Sequence, residues 1–269
     1  VYKRQQELAR AQSFERPSRL PNLLLRLVEV ESELGEHDEA ERHLRELLKA
    51  EGEIRARALL ALGRIAVWRQ ERWAEEVLAE ALRGLKNDYN RACCHLLLAQ
   101  RCLLHEKTEE ARDHLDRARS LALEGGDIGL QAKCRIAEGD LFRMEDQYES
   151  AQAAWKNARE MAVSAGDEEV LLRLLIRRGD LHAMAGRLED AQADYTTAAQ
   201  GYRKLQLPIR EGWALLRLGR MGANSEVLNA ARACFMACDL AAGVAAVDAV
   251  ARDPQHSLDW HLARSSEHA

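Results

Sequence analysis

The residues best suited to metal or thiol chemistry are concentrated in one segment, CCHLLLAQRCLLH, which supplies Cys93, Cys94, His95, Cys102 and His105. A structural zinc site needs four such ligands that converge from a rigid frame. However, Cys94 recurs at the equivalent position forty residues later, as Cys134. A thiol that recurs with the period of the chain is better explained as a small buried hydrophobic residue. We therefore predict no metal site and no cofactor.

A second candidate is the segment EGGDIG at 124–129, because glycines before a helix can hold a phosphate. It follows a predicted helix rather than a strand, and no lysine and serine or threonine pair accompanies it. The acidic pairs Glu109–Glu110 and Glu168–Glu169 open predicted helices, where negative charge favours the helix dipole. With no nucleophile or zinc-protease motif in the sequence, we predict that the protein is not an enzyme.

The amino-acid composition indicates the fold class of the protein and the kinds of partner it can bind. The chain has 269 residues, 47% hydrophobic and only 5% aromatic, with a net charge of −5. Such Leu- and Ala-rich sequences favour helix, and the four prolines fall where the helical pattern breaks. The acidic balance argues against a nucleic-acid partner, and no apolar run is long enough to span a membrane. We predict an all-α cytoplasmic protein.

An internal repeat organises the sequence. The segments EGDLFRMEDQYESAQAAW (138–155) and RGDLHAMAGRLEDAQADY (178–195) align forty residues apart, and matching alanines fall at positions 40, 74, 111, 151, 191 and 231. A period in this range indicates stacked helix hairpins. The predicted units are 19–52, 53–87, 88–126, 127–166, 167–206 and 207–247. A leader (1–18) precedes them, and a C-terminal cap and tail (248–269) follows.

Glycines and small residues predict how each hairpin packs. Gly139, Gly179 and Gly219 fall inside predicted first helices, where each costs roughly 1 kcal/mol relative to alanine. We infer that the two helices of each hairpin touch near these glycines and the second-helix alanines at 151, 191 and 231, with Trp155, Tyr195 or Phe235 filling the space one turn beyond. Asp127 and Asp167 are predicted N-caps, Gly186 a turn with positive φ, and Pro208 a helix start.

This pattern resembles the tetratricopeptide repeat, in the longer form that occurs in bacterial signalling proteins. The match covers about residues 19–247. It departs from the family at Val28 and Ala99, which replace the first glycine, and it lacks the usual proline near the repeat end. The resemblance implies a right-handed α-solenoid of about six antiparallel helix pairs with a C-terminal capping helix.

The resemblance also implies that first helices line a concave groove. Transferred to this sequence, its ligand-facing positions are Arg57, Arg64, Lys133, Asp140, Arg143, Arg173, Asp180, Trp213 and Arg220, with Ala183 and Ala223 in the same phase. These residues lean basic in an acidic chain, so we predict a protein or peptide partner with an acidic segment. The hypothesis open beside it is an ordinary solvated face with no partner.

We therefore expect a non-catalytic protein- or peptide-binding scaffold. We expect it to be the C-terminal sensory or interaction arm of a larger cytosolic bacterial regulatory protein. A small-molecule-sensing repeat domain and an RNA-binding helical repeat stay open as alternatives. Val1–Gln5 follows no repeat register, and we predict that it is not native sequence.

Overall fold

The computed structural model describes residues 20–222 and 224–252, and within them every regular element is an α-helix. The helices, numbered in chain order, are α1 (Leu20–Leu34), α2 (His37–Leu47), α3 (Gly52–Trp68), α4 (Ala74–Gly84), α5 (Asp88–Leu104), α6 (Thr108–Glu124), α7 (Ile128–Met144), α8 (Tyr148–Ala165), α9 (Glu168–Met184), α10 (Leu188–Lys204), α11 (Pro208–Gly222), α12 (Ser225–Ala237) and α13 (Ala241–Arg252).

The helices form six consecutive pairs, α1/α2 to α11/α12, and α13 packs on α12 as a thirteenth helix at the end of the array. Helices make their most extensive contacts with the pair partner and then with the next pair. The predicted all-α solenoid of helix pairs with a capping helix is confirmed. The predicted leader (1–18), Val1–Gln5, and the amphipathic piece around Leu258 and Leu262 lie outside the described residues.

Local signals end the helices where the sequence predicts. The Asp127 and Asp167 side chains accept hydrogen bonds from the backbone N–H groups of Leu130 (2.7 Å) and Val170 (3.1 Å), so both are N-caps. Gly186, in the turn between α9 and α10, has a φ of 73°. Glycine adopts that conformation without strain, whereas the equivalent turns hold Glu106 and Asp146 at φ values of 58° and 59°.

Glycines inside the first helices make room for the aromatics of the second helices. A Cβ atom on Gly179 would lie 2.6 Å from Tyr195 Cε1, and one on Gly139 would overlap the Trp155 ring. The sequence inference is therefore confirmed in these two pairs. It is wrong for the last pair, where Gly219 meets Leu228, while Phe235 lies against Gly212 and Gly243. The physical reason is that α13 packs on α12 and supplies Gly243 as a second wall for Phe235.

Consecutive first helices are joined by buried ion pairs. Arg177 of α9 donates two hydrogen bonds to Asp140 of α7, at 2.6 and 2.8 Å, and Arg217 of α11 donates one to Asp180 of α9 at 3.0 Å. All four side chains are at most 5% exposed. The two pairs repeat with the period of the chain, so they tie one repeat to the next.

The two ends of the array meet. The turn at Gly35, after α1, lies against Cys238 at the end of α12, so closely that a Cβ on Gly35 would overlap the cysteine sulfur. Next to it, Arg69 Nη2 lies 3.8 Å from the Asp239 carboxylate. Trp68, at the end of α3, belongs to the same apolar cluster as residues of α9–α12. The superhelix is thus closed across its centre.

Candidate functional site

Closure of the array encloses a central cavity of about 640 Å³. Its wall is made by first helices, from Glu29 of α1 through α3, α5, α7 and α9 to Trp213 of α11, together with Tyr202 and Leu205 from the end of α10. First helices face inward because second helices cover them on the outer side. A cavity of this size is within the range that protein pockets offer to ligands.

Five of the nine predicted groove residues lie on this wall: Arg57, Arg64, Lys133, Arg173 and Trp213. Lys133, Arg173 and Trp213 occupy one repeat position, at forty-residue intervals along α7, α9 and α11. Whether these five bind a partner stays a prediction.

The other four predicted residues are not on the wall. Asp140 and Asp180 are 0% and 5% exposed, and they hold the ion pairs between repeats described above. Arg143 is 7% exposed, and Arg220 is half-buried near the end of α11. The positions that follow the first-helix glycine therefore lie between helices in this protein rather than on the cavity wall. The reason is that the glycine itself packs against the second helix of its pair. Ala223 lies outside the described residues.

The cavity charge is more balanced than the sequence suggested. The five cations on the wall are Arg57, Arg64, Lys133, Arg173 and Arg210, and the four carboxylates are Glu29, Asp127, Asp167 and Glu169. Asp127 and Asp167 are engaged as N-caps of α7 and α9, where the positive end of the helix dipole offsets their charge. The cations thus keep a modest local excess.

Arg173 is the most unusual of these side chains. It is 7% exposed, yet it forms no hydrogen bond to any residue that the structure describes, and its nearest carboxylate oxygen, Glu169 Oε1, is 3.9 Å from Nε. Burial lowers the pKa of its guanidinium. A guanidinium presents five donors, and leaving them unpaired in a buried site is costly. Arg173 therefore suits an anionic ligand.

Two further buried polar groups on the wall have no partner among the described residues. Trp68 is 8% exposed and its Nε1 donates to nothing. Gln100 is 6% exposed and forms no hydrogen bond there either. Gln100 occupies the same repeat position as Asp140 and Asp180. Each aspartate pairs with an arginine thirty-seven residues later, but the residue at that distance from Gln100 is Ala137. The cavity thus offers amide and indole groups to a ligand besides its cations.

Sequence reasoning missed several wall residues, among them Trp68, Gln100, Glu169 and Arg210. Glu169 and Arg210 lie about one helical turn before Arg173 and Trp213, on the same inward face. Extending the predicted stripe by one turn toward each helix start would have found both. Trp68 had no such signal, because its place on the wall depends on closure of the whole array.

Cys94, His95 and Cys102 are buried in the core, whereas Cys93 is half-buried and His105 is exposed. Burial raises the pKa of Cys94 to about 12 and that of Cys102 to about 11, so both thiols stay protonated. Cys94 Sγ donates to the Leu78 carbonyl at 3.3 Å. His95 and His114 bring their Nδ1 atoms within 3.0 Å, and burial and this neighbour lower the pKa of His95 to about 4. Residues 20–222 and 224–252 contain no group of three or more such ligands that could hold a metal.

None of the helices in the described part of the chain is long and apolar enough to cross a membrane. The segment 124–129 is the turn between two pairs, with Gly126 at a φ of 66° and Asp127 as the next N-cap. Its glycine thus serves the turn, as the equivalent Gly166 does one repeat later at a φ of 65°.

Comparison with known proteins identifies the fold. No protein-family model and no curated protein matches the sequence. A Rap protein, solved in complex with Competence and Sporulation Factor, is similar with a TM-score of 0.73, over 98% of this chain and 79% of that one, at 12% identity. Aspartyl phosphate phosphatase F from Bacillus subtilis is similar with a TM-score of 0.57, over 92% and 71%, at 16% identity. At these identities the likeness concerns the fold, which is that of a tetratricopeptide-like helical repeat.

Proposed function

We propose that this protein is a non-catalytic scaffold that holds a peptide or protein segment in its central cavity. The observation that carries the proposal is Arg173, a buried cation on the cavity wall without a hydrogen bond to the described residues. A protein of similar fold has been solved in complex with Competence and Sporulation Factor, which supports the binding of another molecule as a function of this fold.

The proposed partner presents an acidic segment. Carboxylates bind guanidinium groups through charge-assisted, frequently bidentate hydrogen bonds, and Arg173 has those donors to offer. Leu205 and Leu207, which are half-buried on the same wall, provide apolar surface for the neighbouring side chains of the segment. RNA fits less well, because four carboxylates stand among the five cations of the wall.

We further propose a cytosolic, bacterial, signalling context, in which this chain is the C-terminal sensory or interaction arm of a larger regulatory protein. The fold likeness to a Rap protein and to a Bacillus subtilis phosphatase supports this context. Because one of these is named an aspartyl phosphate phosphatase, the absence of catalysis needs its own test. A phosphorylated response-regulator receiver domain is expected to keep its phosphate in the presence of this protein at the uncatalysed rate.

The test of binding is selection from a library of random linear peptides, followed by affinity measurement on two matched variants. Arg173→Gln removes a cavity cation and is expected to weaken the selected peptides at least tenfold. Arg143→Gln removes an equally buried arginine that is not on the wall, and it is expected to leave affinity unchanged. Equal loss in both variants, or no selected peptide at all, would contradict the proposal.

A small-molecule sensor is the second candidate, and the enclosed volume of about 640 Å³ favours it. A ligand that binds only the folded state raises the melting temperature by mass action. A metabolite screen by thermal shift therefore separates the two candidates. Stabilisation by a metabolite that Arg173→Gln abolishes, without selectable peptides, would replace the peptide by a small acid.

A further inference from the structure

Glu169, in the first turn of α9, lies within a cluster of three cations from three successive first helices. Its Oε1 atom is 3.2 Å from Arg210 Nε of α11 and 3.9 Å from Arg173 Nε of α9. Lys133 of α7 adds a third positive charge. Burial alone would raise the pKa of Glu169, but these three cations outweigh it and hold the pKa below its ordinary value. Glu169 is therefore ionised.

The single carboxylate of Glu169 does not balance the three positive charges around it. Glu169 Oε1 is buried but accepts no hydrogen bond among the described residues, because the short distance to Arg210 is poorly aligned. Arg173 donates none to them either. Asp127 and Asp167 are the other acidic groups on this part of the wall. Each accepts a backbone hydrogen bond with one carboxylate oxygen, at the N-terminus of α7 and of α9 respectively. Three positive charges thus face one carboxylate that is not engaged as an N-cap, and the donors of Arg173 stay unused.

The neighbouring residue Glu168 shows that this arrangement is specific to one position. Glu168 is also acidic and in the first turn of α9, but it is exposed and does not line the cavity. A charge that only stabilises the helix start would serve equally well at 168. Glu169 instead lines the cavity beside the buried guanidinium of Arg173 and the partly exposed one of Arg210, where its charge acts on a ligand.

We infer that Lys133, Arg173 and Arg210 form a subsite for a carboxylate of the bound segment, and that Glu169 is an internal counter-anion that occupies this subsite while the cavity is empty. The inference rests on the proposed function, and it assigns the place where the acidic segment binds. Glu169 lowers the cost of placing three cations close together in the empty protein. An incoming carboxylate must then compete with Glu169 or share the cations with it.

This role predicts a gain of affinity on removal of an acidic residue. Glu169→Gln deletes a like charge within a few ångströms of the ligand carboxylate and leaves the positive charges of Arg173 and Arg210 to the ligand. In a partly buried site such repulsion is substantial, so acidic peptides are expected to bind about tenfold more tightly. Glu168→Gln makes the same chemical change one residue away, outside the cavity, and is expected to change affinity less than twofold.

The experiment uses three fluorescein-labelled pools of random octapeptides, enriched respectively in Asp and Glu, in Lys and Arg, and in neutral residues. Fluorescence anisotropy measures binding of each pool to the wild type, Glu169→Gln, Glu168→Gln and Arg173→Gln. We expect the acidic pool to bind the wild type, to bind Glu169→Gln about tenfold more tightly, and to bind Arg173→Gln at least tenfold more weakly. C-terminal amidation of the acidic pool then separates two sources, since lost affinity assigns the terminal carboxylate and retained affinity assigns side-chain carboxylates.

The possible failures are distinguishable. If the acidic pool binds the wild type but Glu169→Gln binds it no more tightly, or if Glu168→Gln gives the same gain, the subsite is wrong while the scaffold function stands. If no pool binds any variant, the proposed function fails, and the subsite fails with it. Should Glu169→Gln not fold, Glu169→Asp withdraws the carboxylate from the cations by one methylene and is expected to give a smaller gain of the same sign, whose absence overturns the subsite.

Discussion

The buried pair between Asp140 and Arg177 offers the most direct test of how the repeats are joined. Asp140 is fully buried, and Arg177 reaches it from the next first helix through two hydrogen bonds of 2.6 and 2.8 Å. Replacing Arg177 by methionine keeps the bulk of the chain but removes the countercharge and both bonds. Breaking one side of a buried ion pair costs about 3 to 5 kcal/mol, a large share of the total stability of a domain.

The same structure predicts a different result when both partners change. In the double variant Asp140→Leu/Arg177→Met no charge is left uncompensated, and apolar replacement of a buried pair is often neutral or stabilising. The double variant is therefore expected to be more stable than Arg177→Met alone by at least 2 kcal/mol. The single variant Asp140→Leu completes the double-mutant cycle that gives the coupling energy between the two residues.

Urea unfolding, followed by helical circular dichroism and by tryptophan fluorescence, measures these free energies. The control is Arg91→Met, which breaks an exposed pair with Asp88 in which both side chains are about half accessible, so its cost is expected to stay below about 1 kcal/mol. If Arg177→Met costs no more than Arg91→Met, the pair does not hold the repeats together. If the double variant loses as much as Arg177→Met or more, uncompensated charge is not the reason for the loss.

Three further predictions follow from the fold. Gly35→Ala adds a side chain that overlaps Cys238 at a φ of 78°, so it should open the contact between the two ends and make the Cys238 thiol react with maleimide. The control is Gly186→Ala, which carries similar strain at a φ of 73° but has open space around it. If the Cys238 thiol reacts equally in both variants, closure is not the cause. Burial, with Arg69 nearby, lowers the pKa of His37 to about 4 from 6.5, so the unfolded state binds the proton more readily. The free energy of unfolding should therefore fall as the pH drops from about 6.5 toward 4, and it should fall much less in His37→Met. Identical pH profiles of the two proteins would contradict this. Ala191→Leu should cost about 1 to 3 kcal/mol in urea unfolding by overpacking a fully buried contact, and an unchanged midpoint would contradict it.

The fold was predictable because its rules are local and repeat. The glycines at 139 and 179, the aromatic sixteen residues after each, and the aspartate N-caps of α7 and α9 are all readable from sequence spacing. Each has its contact in the structure. The last pair was mispredicted because its neighbour is α13, which follows a different pattern from the helix pairs. A rule learned from internal repeats does not hold at the end of an array.

The candidate site was predictable only in part, because closure is not local. The small rotation from each pair to the next accumulates along the solenoid, and only the sum decides whether Gly35 meets Cys238 and whether Trp68 reaches the wall. No spacing in the sequence encodes that sum. By contrast, the ion pairs had a signal that went unused, since an arginine follows the aspartate by the same interval in Asp140–Arg177 and in Asp180–Arg217.

Repeat positions separate structural residues from candidate ligand-binding residues. The position of Asp140 keeps its aspartate at 180, and the position of Arg177 keeps its arginine at 217, because both serve the packing that every junction between these repeats requires. The position on the cavity wall changes from Lys133 to Arg173 to Trp213, although the backbone around it repeats. Packing alone would favour one residue type there. The variation shows that packing does not fix one residue type there. Under the proposed function, Lys133 and Arg173 are the side chains at this position whose substitution should change binding before it changes stability. Trp213 is 3% exposed and packs on Phe235, so its substitution should change both.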